Sequence, residues 1–160
     1  MAARTVLVTG GASGMGAATA REFAAQGATL ILADLDRAGA ERVAAECHSL
    51  GAGAVSVAVG DVSRSDFCDE TVNMAVESHG SIDVLVTAAG TIHRADSLGT
   101  TNADWQRVMG VNIGGVFFMC RAALRHMTAA GVGAIVNFGS IWGGVGSAGS
   151  TAYCVSKGAV

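Results

Sequence analysis

The sequence predicts an α/β fold in which helices cover both faces of a doubly wound parallel sheet. Three observations carry this: five short apolar runs, longer helical stretches between them, and a glycine at the end of each stretch. The runs are Thr5 to Thr9, Thr29 to Ala33, Ala54 to Val59, Ile82 to Thr87 and Ala134 to Phe138. They are rich in Val, Ile and Leu without strict alternation, the pattern of strands buried on both faces. The helical stretches run from about Gly14 to Gln26, Arg37 to Leu50, Arg64 to His79 and, as one long helix, Asn102 to Ala130. They stop at Gly27, Gly51, Gly80 and Gly131, and glycine is the residue best suited to a left-handed C-cap. Sheets of this kind bind ligands beyond the carboxyl ends of their strands, where the strand order reverses. Gly10, Asp34, Asp61, Gly90 and Ser140 all collect at that edge.

Length and composition narrow the function classes. A chain of 160 residues suits one domain spanning 1–160, and no repeat, low-complexity segment or linker divides it. Apolar residues make up 51% and charged residues 14%, far from the signature of disorder. A net charge of -3 with no Lys/Arg cluster gives no electrostatic basis for binding nucleic acid or an anionic membrane, so a small molecule is the expected partner. Cys47, Cys68, Cys120 and Cys154 form no CxxC pair, and His48, His79, His93 and His126 share no metal-ligand spacing. Reduced thiols and no metal are expected. The N-terminus leaves no room for a signal-peptide core, and no apolar stretch reaches the about eighteen uninterrupted residues of a spanning helix. A cytoplasmic location is the corresponding expectation.

The first strand runs into Thr9-Gly10-Gly11-Ala12-Ser13-Gly14-Met15-Gly16 and then a helix. A phosphate approaches only where no Cβ obstructs it, and the helix start offers free N–H groups and the positive end of its dipole. The spacing is GxxxGxG rather than the commoner GxGxxG. Asp34, at the end of the second strand, stands where a carboxylate accepts hydrogen bonds from adenosine ribose hydroxyls and repels a 2'-phosphate. Leu35 and Ser13 offer no cation for that phosphate, which favours NAD over NADP; Arg37 is the one cation nearby. Asp34 reads alternatively as a helix N-cap, a role that Asp36 fills equally well. Asp61, followed by Val62, reads either as a flank of the adenine or as a cap of the next helix.

Tyr153 and Lys157, four residues apart, lie one turn apart on one face of a helix. A free tyrosine, with a pKa near 10, exchanges protons poorly at neutral pH, and bringing it to about 7 takes roughly 4 kcal/mol. A lysine ammonium about 4 Å away, at an effective dielectric near 20, supplies an interaction of that order. Tyr153 is the only tyrosine, and it follows Ser140 across a glycine-rich loop. A serine hydroxyl there is able to hold a carbonyl oxygen while a tyrosine protonates it. Ser140 otherwise reads as a turn residue, and Trp142 as either a pocket wall or a core anchor. His93, three residues after Gly90, is placed to face the substrate or to be solvated like the other histidines.

On these residues the chain resembles the short-chain dehydrogenase/reductase family, in the subgroup carrying TGxxxGxG and YxxxK, over its whole length. The resemblance implies a Rossmann-type sheet and reversible hydride transfer between NAD and a secondary alcohol or ketone. It assigns Gly10, Ser13, Gly14, Met15 and Gly16 to the cofactor loop, Asp34 to NAD selection, Asp61 and Val62 to the adenine pocket, and Ala89 and Gly90 to close cofactor approach. Ser140, Tyr153 and Lys157 match the catalytic triad, with Tyr153 and Lys157 also binding the cofactor. Asn112 matches a fourth catalytic residue, which in the family holds a water linking the lysine to solvent through a helix irregularity; without the resemblance it reads as a buried polar residue. A homodimer or homotetramer is implied for the complete protein, with Phe117, Phe118, Met119 and Met127 packing in the core or against another subunit.

Two departures stand out. The family's NNAG reads Thr87-Ala88-Ala89-Gly90, which predicts weakened bracing of the strands. The chain also ends at Val160, three residues past Lys157, where members of the family continue. The sequence therefore reads as the N-terminal portion of such an enzyme, truncated after YxxxK. A catalytically inactive nucleotide-binding fragment is the alternative, and an epimerase or dehydratase on the same scaffold is disfavoured by the GxxxGxG spacing.

Overall fold

The computed structural model describes residues 4–160. Five parallel strands form one sheet in the order β3-β2-β1-β4-β5: β1 Thr5–Thr9, β2 Thr29–Asp34, β3 Ala54–Val59, β4 Val84–Thr87 and β5 Ala134–Asn137. The chain winds outward from β1 through β2 and β3, then returns to place β4 on the other side of β1. The order reverses between β1 and β4, so the crevice at their carboxyl ends is the topological switch point.

Side chains alternate across each strand, and this makes two cores. Val6, Val8, Leu30, Leu32, Val84 and Val86 pack against helices α1 (Gly14–Ala25) and α2 (Arg37–Leu50). Leu7, Ile31 and Leu85 point the other way, against Cys68, Val72 and Ala75 of α3 (Ser65–His79) and Met119, Ala122, Ala123 and Met127 of α5 (Gly115–Ala130). Every residue of β1 is buried, which is why its sequence shows no polar alternation. Each fully buried Val or Leu side chain contributes about 1.5–3 kcal/mol. The outer strand β5 is largely exposed, with Val136 half open.

Gly51, Gly80 and Gly131 cap α2, α3 and α5 in the left-handed conformation, as anticipated. Helix α1 is capped by Gln26, and Gly27 takes positive φ one residue later. Strand β2 runs one residue further than expected, to Asp34, β5 one residue less, to Asn137, and α3 starts at Ser65 with Arg64 as its cap. Strand β4 begins at Val84 rather than Ile82; the Asp83 backbone just before it bonds both neighbouring strands, its N–H donating to Thr5 O and its carbonyl accepting from Ala134 N–H, each at 2.9 Å.

The long helix is not uniform. It consists of α4 (Asn102–Met109), a π segment (Gly110–Gly114) and α5, and at the joint the Gly115 N–H donates to Gly110 O, five residues back. Taken together, Asn102–Ala130 is long and apolar enough to cross a membrane by length and composition, with a window of mean hydropathy 1.3. It is not an uninterrupted apolar stretch, since Asp104, Arg107, Arg121 and Arg125 fall within it. The apolar face has another use here: Val108, Asn112, Gly115, Met119, Ala122, Ala123 and Met127 are buried within the fold. Two further helices end the described residues, α6 (Ile141–Val145), within the glycine-rich segment where a loop is expected, and α7 (Thr151–Ala159).

Candidate active site

At the switch point the loop between β1 and α1 is shaped by glycine. Gly10 adopts φ +68, and a Cβ there would lie 2.8 Å from Ala89 N, so β1 and the exit of β4 touch only because that side chain is missing. Gly14 adopts φ +52 and faces open space. The first helical bond runs from Ala17 N–H to Ser13 O, leaving the amides of Gly14, Met15 and Gly16 ahead of it. Ser13 makes no side-chain cap and no acid sits in the first turn, so the positive helix end stays uncompensated. These groups border a cleft of about 480 Å³, with Asp34, Asp61, Val62, Ala89 and Gly90 also on its walls. A glycine cradle, free amides and a carboxylate at the end of β2 fit an adenine dinucleotide.

Asp34 is held by two backbone donors, Ala12 N–H to Oδ2 at 2.9 Å and Asp36 N–H to Oδ1 at 3.0 Å. Both oxygens keep acceptor capacity toward the cleft. Capping of α2 falls to Asp36, which accepts the Gly39 N–H at 3.0 Å. Asp61 accepts the Ser63 N–H at 2.8 Å and is not the cap of α3. Arg37 pairs with Glu41 at 3.5 Å and does not line the cleft. Arg107 does line it, its guanidinium donating to Thr91 Oγ1 at 2.9 Å and Asp104 Oδ1 at 3.3 Å. Arg107 was not singled out from the sequence; the only signal was its place one helical turn before Val111, another wall residue.

The remaining candidates come from α6, α7 and the π segment. Ser140 caps α6 by accepting the Trp142 N–H at 3.2 Å, so the turn role is real and its hydroxyl hydrogen stays available. Trp142 packs edge-on against Tyr153, ring centroids 5.9 Å apart. Tyr153 and Lys157 lie one turn apart on α7. Lys157 Nζ donates to Phe138 O at 2.6 Å and lies 4.0 Å from where a Cβ on Gly90 would stand, so it reaches from α7 to the wall of the cleft. Burial holds its pKa below the ordinary lysine value. Helix α6 lies so close to α7 that a Cβ on Gly143 would stand 2.5 Å from Lys157 O.

Asn112 is fully buried in the π segment. Its Oδ1 accepts from Thr91 N–H at 2.8 Å, and its Nδ2 donates to Thr91 O and to Ser156 Oγ, both at 2.9 Å. Ser156 Oγ in turn donates to Tyr153 O at 2.8 Å. The segment after β4 and the helix carrying Tyr153 are thereby joined through one amide. Ser156 was missed because its role depends on a partner 44 positions away. The strand bracing expected to be weak is supplied differently: Thr87 Oγ1 donates to Asn137 Oδ1 at 2.7 Å, and Ala89 N–H to Thr9 Oγ1 at 3.2 Å. His93 sits 3.5 Å from Asp104 and is mostly enclosed, unlike a solvated histidine.

A Rossmann-type sheet with a glycine-lined dinucleotide cleft and a tyrosine-lysine helix beside it defines a class, and the chain belongs to the short chain dehydrogenase family, whose profile matches residues 4–160. Among curated relatives it is 42% identical over 160 residues to cis-4-hydroxycyclohexanecarboxylate dehydrogenase of Sinomonas cyclohexanicum, covering 99% of this chain and 64% of the relative. It is 41% identical over 158 residues to meso-2,3-butanediol dehydrogenase of Serratia marcescens, covering 98% and 61%. The crystal structure of NAD+-bound xylitol dehydrogenase superimposes with a TM-score of 0.93 at 32% identity, covering 98% of this chain and 60% of that one. The chain thus spans about three fifths of the length of these relatives.

Proposed function

We propose that the complete protein is an NAD-dependent oxidoreductase transferring a hydride between the nicotinamide cofactor and a secondary alcohol or ketone. The observation that carries this is Lys157, which shares a helix face with Tyr153 and reaches the cleft wall at Gly90. A proton-exchanging pair then borders the nucleotide site, as hydride transfer requires. The cleft residues would hold the cofactor: the amides at Gly14 to Gly16 would take the pyrophosphate, Asp34 the adenosine ribose, Asp61 and Val62 the adenine, and Ala89 and Gly90 would permit close approach. A nicotinamide bound there would supply the hydride acceptor for oxidation and the hydride donor for reduction.

The chain's own groups handle the proton. Ser140 holds the substrate oxygen through its free hydroxyl hydrogen. Tyr153 Oη takes the alcohol proton during oxidation and gives it back during reduction. Lys157 keeps a positive charge beside that oxygen and binds the nicotinamide ribose, while Asn112 supports the relay of the proton onward. NAD rather than NADP is supported by Asp34 and by the engagement of Arg37 with Glu41. We assign 4–160 to a single nucleotide-binding domain, since one sheet organises all its helices. A cytoplasmic homodimer or homotetramer is the proposed setting, supported by four free cysteines and by exposed Phe117 on α5.

Replacement Tyr153→Phe tests the assignment. Turnover is expected to fall by about 10²- to 10⁴-fold, the scale of lost general acid–base catalysis, with NAD affinity nearly unchanged. Near-normal turnover would show that the proton travels elsewhere.

A further inference from the structure

Arg94 stands apart from most cations of the chain. Among the described residues Arg21, Arg37, Arg42, Arg64, Arg107 and Arg125 each pair with a carboxylate, and exposed Arg94 does not. Its guanidinium carbon lies instead 5.7 Å from the centroid of the Trp142 ring, the ring that meets Tyr153 edge-on. A cation over an aromatic face gains attraction from the ring. It also keeps its in-plane N–H donors, the fork that matches a carboxylate in bidentate fashion.

The backbone beneath Arg94 is fixed on both sides. Thr91 is locked to Asn112 by two hydrogen bonds. Ala95 O accepts the Thr151 N–H at 3.1 Å, and Ser97 Oγ lies 3.4 Å from Thr151 Oγ1. Thr151 opens α7, so the guanidinium and the Tyr153 phenol hang from the same support, one aromatic ring apart. Neighbouring acids are engaged elsewhere: Asp96 accepts the Gly99 N–H, and the Asp104 carboxylate accepts from Thr101 Oγ1 and Arg107.

We propose that Arg94 anchors a substrate carboxylate, making the substrate a hydroxy or oxo acid whose anionic group lies away from the reacting carbon. This rests on the dehydrogenase reading and adds to it the substrate class. Trp142 supplies both the seat of the guanidinium and an apolar wall between anchor and phenol.

The test is binding of cyclohexanecarboxylate and of neutral cyclohexanecarboxamide to the NADH-loaded complete protein, by calorimetry, in the parent, Arg94→Met and Arg94→Lys. The parent is expected to prefer the carboxylate by about 10- to 100-fold, the scale of a charge-assisted bidentate bond. Arg94→Met should erase that preference, Arg94→Lys should keep part of it, and carboxamide binding should be equal in all three. A parent without preference, or an Arg94→Met variant that retains it, overturns the proposal. Turnover of 4-hydroxycyclohexanecarboxylate, followed in parallel, separates the two readings: NAD reduction that persists while Arg94→Met retains the carboxylate preference overturns the anchor and leaves the dehydrogenase assignment standing.

Discussion

Two amides aim Asp34 in the proposed ribose-binding role. With Ala12 N–H on one oxygen and Asp36 N–H on the other, the carboxylate enters the cleft already oriented and loses little freedom on meeting a ribose. Asp34→Ala should therefore weaken NAD binding by about 10- to 100-fold, as expected for lost hydrogen bonds to a charged group. NADP should lose much less, since the repulsion of its 2'-phosphate disappears too; titration of both nucleotides checks this, and equal losses would contradict the selection role. The loop glycines, Asp34, Tyr153 and Lys157 were legible in the sequence because their geometry is local: a turn, a strand end, one helical turn. Arg107, Ser156 and Arg94 were not legible. Each acquires its place from a partner on another element, Thr91, Asn112 and Trp142 respectively, and spacing along the chain carries no trace of that.

Elements were readable to the same extent. All five strands and the first three helices follow from apolar runs and glycine stops, with ends displaced by a residue or two. The π segment was not visible as a break, since Val111-Asn112-Ile113 fits an ordinary apolar helix; the resemblance alone suggested an irregularity there. Helix α6 was hidden because its Ile141-Trp142-Gly143-Gly144-Val145 is poor in helix formers and is held by the Ser140 cap and by packing on α7. That packing is unforgiving. In Gly143→Ala the new Cβ meets Lys157 O at 2.5 Å, backbone against which no rotamer can retreat, so α6 and α7 must separate. A loss of about 1–3 kcal/mol in urea unfolding is expected, with turnover falling alongside because Lys157 moves.

Stability of the molecule as a whole should depend on alkaline pH through its thiols. Burial first, then Asp69, Asp61 and Asp66, pushes Cys68 up to about 12, and burial also raises Cys47 and Cys120 above the ordinary 9.0. A group whose folded pKa is raised contributes stability that is fully present below its unfolded value and is lost as pH rises through the folded one. Lys157, depressed by burial, acts in the opposite sense, its penalty easing as pH climbs toward 10.5. Three thiols against one amine predict a net fall in the urea midpoint from about pH 9 upward, measurable between pH 8 and 11 and absent if the thiols titrate normally. The sheet has a wider consequence. It parts the apolar interior into two compartments that share a backbone and few side chains, so Leu30 answers to α1 and α2 while Met119 answers to α3 and β4. Substitutions in one compartment are then close to invisible from the other. The compartment under α1 and α2 can thus be repacked while the opposite one, against which Val111 of the π segment packs, holds its arrangement.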